Sequence, residues 1–153
     1  MSHLLSLIQL LEKQIENHQA ENLNVSKSNI SWHIDHSLLV INGIINQLKK
    51  SNPELYRKQF NWKRFYIQLR GEIPRGKGKA PKVVQPTEAT SVEKLMTQLD
   101  NAKKNVFELE HLSLNNYFSH PYFGDLNLKS TIWFLKLHTN HHLKIINDII
   151  NKS

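Results

Sequence analysis

The sequence predicts an all-α fold, a four-helix bundle with one long crossover between its second and third helices. Two observations carry this. Apolar residues recur at three- and four-residue spacing in four separate stretches, the pattern of helices that each bury one face. Between the second and third stretches lies a segment, about residues 52–90, that is first aromatic and basic and then rich in Pro, Gly and Lys. No run alternates apolar and polar residues for long enough to defend a strand. At 153 residues with 39% hydrophobic content, the chain suits one domain with a real core.

Leu4, Leu7, Ile8, Leu11 and Ile15 place the first helix, expected to end near Ala20. His3 falls at its frayed start, and His18 at its far end is read as surface or half-buried. After an Asn- and Ser-rich connection, Ser28 or Asn29 can cap a second helix over residues 30–50. Its main face is Ile30, Ile34, Leu38, Ile41, Ile45 and Leu48, but Trp32, Leu39 and Val40 make it apolar on other sides too, so it is central and its histidines are not fully exposed. Gly43, inside the pattern, is read as a close helix contact.

Asn52 and Pro53 stop that helix. A short helix is expected over residues 62–69, then a long extended loop. The loop reads most simply as solvated, its aromatics (Tyr56, Phe60, Trp62, Phe65, Tyr66) closing one end of the bundle. A lid that recruits an anionic substrate and a nucleic-acid strap are the other readings. The last is least favoured, since no recognised binding module surrounds the segment; it would need salt-dependent binding that is lost when Lys77 and Lys79 are neutralised. Ser91 caps a third helix with the stripe Val92, Leu95, Met96, Leu99, Ala102, Val106 and Leu109. A turn-rich stretch over residues 110–127 leads to the fourth helix, residues 128–150, begun by Asp125 or Asn127.

Composition narrows the chemistry. With no cysteine, the chain can form neither a disulfide nor a thiolate metal site, so any thiol must come from a ligand or substrate. The N-terminus lacks a basic leader with a cleavage site, and no run is long and apolar enough to span a bilayer; cytoplasmic residence without a membrane partner is the default expectation. The formal charge of +7 is concentrated, because nine basic residues against Glu72 alone lie within residues 57–82.

The reactive residues that remain are histidines and carboxylates. His138 and His142 stand one helical turn apart on the stripe Leu135, Ile145, Ile146 and Ile149, so both imidazoles point inward and can present nitrogens to one metal ion. A pair needs a third ligand, and the other dense histidine cluster is W-H-I-D-H at residues 32–36. Periodicity puts His33 closer than His36 to the main face of the second helix, a weak preference in a helix apolar on several sides. The alternative is that these are core histidines hydrogen-bonded to carbonyls or carboxylates. His141 projects off the stripe, toward the surface or behind the ligands. The absence of a Glu between His138 and His142 excludes the H-E-x-x-H protease motif.

Three stretches in this order, W-H-I-D-H (32–36), H-P-Y-F-G-D-L-N (120–127) and H-T-N-H-H-L-K-I-I (138–146), resemble the DUF1569 branch of the DinB-like superfamily. Residues 73–81, I-P-R-G-K-G-K-A-P, look like a subgroup feature of it. The resemblance implies a four-helix bundle, often dimeric, with a divalent ion held by one histidine of the second helix and an H-x-x-x-H pair of the fourth. By motif these are His36, His138 and His142, since the family histidine follows an aliphatic residue two places earlier, here Ile34. Family members include thiol-dependent transferases and isomerases and hydrolase-like enzymes, so a site is implied more firmly than a reaction.

The expected function is therefore that of a metal-dependent transferase-like or hydrolase-like enzyme. A divalent ion, zinc or nickel before iron or manganese, would activate water or a low-molecular-weight thiol for a small-molecule substrate, an anionic one if the basic loop recruits it. Residues expected around the ligands are His33, Asp35, His120, Tyr122 and Asp125, with loop packing the alternative for Tyr122 and helix capping for Asp125. A homodimer is expected. The competing reading is a non-catalytic, metal-stabilised dimeric binding protein.

Overall fold

The computed structural model describes residues 2–76, 84–86 and 90–152. The described residues are mostly helical and form five α-helices and one two-stranded sheet. Helix α1 (Ser2–Lys13) buries Leu4, Leu7, Ile8 and Leu11 and tightens into a 3₁₀ turn at Gln14–Asn17 that carries Ile15 inward. The first helical stretch thus closes before Ala20. There the chain turns, with His18 Nδ1 donating to the Ile15 carbonyl at 2.9 Å.

Helix α2 (Ile30–Lys50) is capped by Asn29, whose side chain accepts the Trp32 amide at 3.0 Å, and Lys49 and Lys50 complement the dipole of its last turn. It is buried on several sides, with Ile34, Leu38, Ile41, Ile45 and Leu48 wholly inaccessible. Truncating any of these to Ala would cost about 2–5 kcal/mol. Gly43 makes no close helix contact, because a Cβ there would meet nothing within 4 Å. Helix α3 (Trp62–Arg70) starts at the Asn61 cap and ends at Gly71, whose φ of 68° is the left-handed conformation that closes a helix at low cost only with glycine. Helix α4 (Val92–Glu108) is capped by Ser91 and buries Leu95, Leu99, Ala102 and Val106. Val92 and Met96, expected on that stripe, lie at its edge and are exposed.

The stretch before the last helix is not a plain loop. Tyr117–His120 (β1) and Gly124–Asn127 (β2) pair antiparallel, with Phe118 opposite Leu126 and His120 opposite Gly124. Gly124, at φ 66°, meets the turn's demand for a left-handed residue. The hairpin is anchored by Asn116, whose Nδ2 donates to the Leu48 carbonyl at 2.9 Å, and by the inward side chains of Phe118 and Leu126. Asn127, not Asp125, caps helix α5 (Leu128–Asn151) by accepting the Ser130 amide at 3.0 Å.

Helices α4 and α5 each pack on both α1 and α2, and the hairpin lies against α2 and α5. One apolar cluster draws on all of these elements. The aromatics Phe60, Trp62, Phe65 and Tyr66 do not close an end of that cluster: Trp62 is 75% and Phe60 66% exposed, and Ile67 is the only buried residue of α3. Lys77, Lys79 and Lys82 of the expected loop lie outside the described residues.

Candidate metal centre

The second turn of α2 and the middle of α5 meet at a set of histidines. Nitrogens of His36, His138 and His142 all lie within 4.8 Å of one another. Their ring centroids are 5.0 Å (His36 to His138), 4.8 Å (His36 to His142) and 4.6 Å (His138 to His142) apart. Zn–N bonds of about 2.0–2.1 Å put tetrahedral ligand nitrogens about 3.3 Å apart, so small side-chain rotations bring the three onto one ion. His33 and His36 both come inward, as expected of a helix apolar on several sides; they differ in what they touch.

The hydrogen bonds assign the nitrogens. His36 Nδ1 stands 2.7 Å from the Val84 carbonyl oxygen, which can only accept, so Nδ1 carries the hydrogen and Nε2 keeps its lone pair. Trp32 stacks on the same ring at 5.0 Å and 17°, holding its plane. His142 Nδ1 faces His33 Nδ1 at 3.0 Å, and His33 Nε2 faces Ser26 Oγ at 3.0 Å. With Nδ1 of His142 so engaged, its Nε2 is the nitrogen left for a ligand. His138 Nδ1 is buried with no hydrogen-bond partner among the described residues. A buried, unpartnered ring nitrogen is a cost that a bound cation removes. Three imidazoles, two of them oriented through their far nitrogens, fit a divalent ion.

Electrostatics keep these rings in the metal-binding form. Burial pushes His138 and His142 well below the ordinary histidine range, and the neighbouring histidines push the same way. His33 is brought down to about 4, by burial first and then by His36, His141 and Arg75. His36 is lowered by burial, against the Val84 hydrogen bond and the Asp35 charge, which both favour its protonated form. All are neutral near pH 7, as metal ligands must be.

The other expected residues fall into different places. Asp35 is wholly buried but turns away from the histidines, accepting from Thr90 Oγ1 and Gln98 Nε2 and, at 3.3 Å, from Lys94 Nζ. It locks α2 to α4. His120 stacks on Phe123 at 4.4 Å and meets Phe134 at 4.6 Å; its Nδ1 accepts the amides of Tyr122 and Phe123, so it organises the hairpin turn. Phe134 in turn stands 5.7 Å from His138, which makes it the link between hairpin and cluster. Tyr122 is 49% exposed, with Lys63 Nζ 5.7 Å from its ring centre. Asp125 accepts from Ser119 Oγ at 2.6 Å across the hairpin. Neither Tyr122 nor Asp125 joins the histidine group.

Three contributors were not foreseen. Val84 acts through a backbone carbonyl, which no side-chain pattern announces, and Ser26 sits in a connection whose path periodicity does not give. Trp32 was visible in W-H-I-D-H, but its role as a plate over His36 depends on the next turn of the helix. His141 is half-buried: with Arg70, Ile73, Arg75, Leu137 and Lys144 it lines a cleft of about 320 Å³. Burial, Arg75 and Lys144 lower its pKa. Compared with protein-family models, with curated proteins and with solved structures, the chain matches none.

Proposed function

We propose that the chain is a metal-dependent enzyme of the DinB-like type, its four long helices forming the bundle and His36, His138 and His142 holding one divalent ion, zinc or nickel. The observation that carries this reading is the assignment of nitrogens: His36 and His142 each have Nδ1 engaged elsewhere, and His138 has a buried nitrogen with no partner. A three-histidine set leaves coordination positions open, which separates catalytic from structural sites. When bound, the ion supplies Lewis acidity that lowers the pKa of a water or of a low-molecular-weight thiol.

The chain's own residues favour the thiol. Asp35 and Asp125, the acids expected near the cluster, have their carboxylates engaged by Thr90, Gln98 and Lys94 and by Ser119, so neither serves as the general base that hydrolysis would use. His33 and Val84 orient two of the rings, and Trp32 covers the His36 face. The thiol itself comes from outside, since the chain has no cysteine.

The test is metal analysis of untagged protein, wild type beside His36→Ala and His138→Ala. About one ion per wild-type chain, absent from both variants, supports the reading, and thiol-transfer assays with that metal follow. Wild type that holds no ion and binds no added zinc or nickel overturns it.

A further inference from the structure

Helix α3 is amphipathic with its apolar side facing out. Trp62, Phe65, Tyr66 and Leu69 follow one another at the three- and four-residue spacing of a single helical stripe, and they are 75%, 48%, 54% and 78% exposed. Ile67, the residue that anchors the helix, lies on the opposite side. Phe60 extends the stripe: its ring meets Trp62 edge to face at 4.7 Å and Phe65 at 6.0 Å, while Trp62 and Phe65 meet at 6.1 Å. The result is one continuous apolar knob. Exposed patches of this kind mark interaction sites.

The helix is held rigidly in that presentation. Asn61 caps it and donates Nδ2 to the Tyr122 carbonyl at 3.1 Å, Arg64 donates to the Asp125 carbonyl at 3.2 Å, and Gly71 closes the far end. The stripe is therefore not a strand of loose chain that folds back on the core. Its surroundings are cationic: Arg57, Lys58, Lys63 and Arg70 are exposed, no acid occurs within residues 55–71, and of these four only Arg70 has a carboxylate partner among the described residues.

The geometry points to an anionic lipid surface as the occupant: α3 lies in the membrane interface, Trp62, Phe65, Tyr66 and Leu69 entering among the headgroups and upper acyl chains, with the flanking cations on lipid phosphates. Trp, Tyr and Phe on one face with Lys and Arg beside them is the composition of interfacial helices. A second copy of this chain is disfavoured by charge, because a two-fold contact through the stripe sets the same cations against each other. Single-stranded nucleic acid is disfavoured by ring geometry. Base stacking needs open ring faces, whereas Trp62 is packed edge to face with both Phe60 and Phe65. The sequence alone hides this surface, since the same aromatics read equally well as the plug of a bundle end. The inference does not rest on the metal reading.

The experiment is sedimentation of the full chain with vesicles of phosphatidylglycerol and phosphatidylcholine in equal parts, beside vesicles of phosphatidylcholine alone, with tryptophan emission followed in parallel. Binding to the anionic vesicles at least about tenfold above the neutral ones is expected, with a blue shift that disappears in Trp62→Phe while binding persists. Trp62→Ser with Phe65→Ser should abolish binding while the chain stays folded with wild-type helicity, neither side chain belonging to the buried core. Lys63→Gln and Arg70→Gln should each weaken it about fivefold. No binding to anionic vesicles overturns the proposal. So does undiminished binding by the double serine variant, or equal binding to neutral lipid. Sedimentation that a single-stranded oligonucleotide competes away, or a dimer that the serine variant dissociates, assigns the stripe to nucleic acid or to self-association and overturns it as well.

Discussion

His33 Nδ1 and His142 Nδ1 stand 3.0 Å apart, each on a buried ring. Only one can hold the hydrogen between them. A ligand on His142 Nε2 requires the hydrogen on His142 Nδ1, which makes His33 Nδ1 the acceptor and directs His33 Nε2–H to Ser26 Oγ. The two histidines that compete for the ligand role in α2 therefore take different parts: His36 presents a nitrogen to the cluster, and His33 fixes the tautomer of its partner.

Replacing His33 should accordingly weaken the site without deleting it. Removing the group that orients a ligating histidine typically costs about 10–100-fold in metal affinity. His33→Ala is expected to show that loss in a chelator competition, while still reaching one ion per chain at saturating metal. A stoichiometry that falls to zero would make His33 a ligand in its own right.

How much of this was legible depends on what each signal measures. Side-chain periodicity and caps located α2, α4 and α5 closely, because Asn29, Ser91 and Asn127 are the residue types whose oxygens accept an N-terminal amide. The hairpin was not legible, since two strands of four residues are too short to show alternation and its clearest sign is the positive φ of Gly124. The pair His138 and His142 follows from helical spacing, whereas the choice between His33 and His36 does not: both are 3% exposed. Asp35 was misplaced by sequence adjacency. Neighbours on a helix differ by about 100° in direction, so the residue beside a ligand faces away from it.

Asp35 joins α2 to α4 through three donors, and its loss should be felt in stability. Asp35→Ala removes the acceptor to which the buried Thr90 and Gln98 side chains donate, and is expected to cost about 2–4 kcal/mol in urea unfolding. Lys94 contributes little of this, being half exposed. Metal affinity per folded molecule should change far less than in His33→Ala. A cost under about 1 kcal/mol would mean that water replaces the carboxylate readily.

Gly43 offers the opposite sign. It sits inside α2 with no atom within 4 Å of the place a Cβ would take, so alanine adds helix propensity without a clash. Gly43→Ala should stabilise by about 0.5–1 kcal/mol, raising the melting temperature by roughly 1–4 °C. A lower melting temperature instead would show that something packs on that face in solution.

His120 should make the hairpin sensitive to acid. Burial brings its pKa down to about 4, below the value of about 6.5 in an unfolded chain, so between those values the unfolded state binds more protons. The contribution to stability is whole above about pH 6.5, declines as pH falls, and is gone below about 4. A shift of this size sets a ceiling near 3 kcal/mol, and the partial exposure of the ring lowers it to about 2 kcal/mol. Protonation also removes the Nδ1 acceptor used by the Tyr122 and Phe123 amides. Asparagine can accept a turn amide and gains no proton, so the stability curve of His120→Asn should be flatter than wild type over that window. Parallel curves would remove His120 as the source.

Metal removal should act on the junction of α2 and α5 and not on α3. An ion shared by His36, His138 and His142 cross-links the two helices, and binding at about 100 times Kd adds about 2.7 kcal/mol to folding stability. For a chain of this size that corresponds to a rise of roughly 5–11 °C in melting temperature, reversed by a chelator. Hydrogen exchange should slow around residues 33–37 and 138–142 on loading, with the amides of Trp62–Arg70 unchanged, because α3 touches the core only through Ile67. His36→Ala should abolish both responses. A metal-dependent rise that survives in His36→Ala would place the ion elsewhere, and a rise without local protection would point to binding at scattered surface histidines.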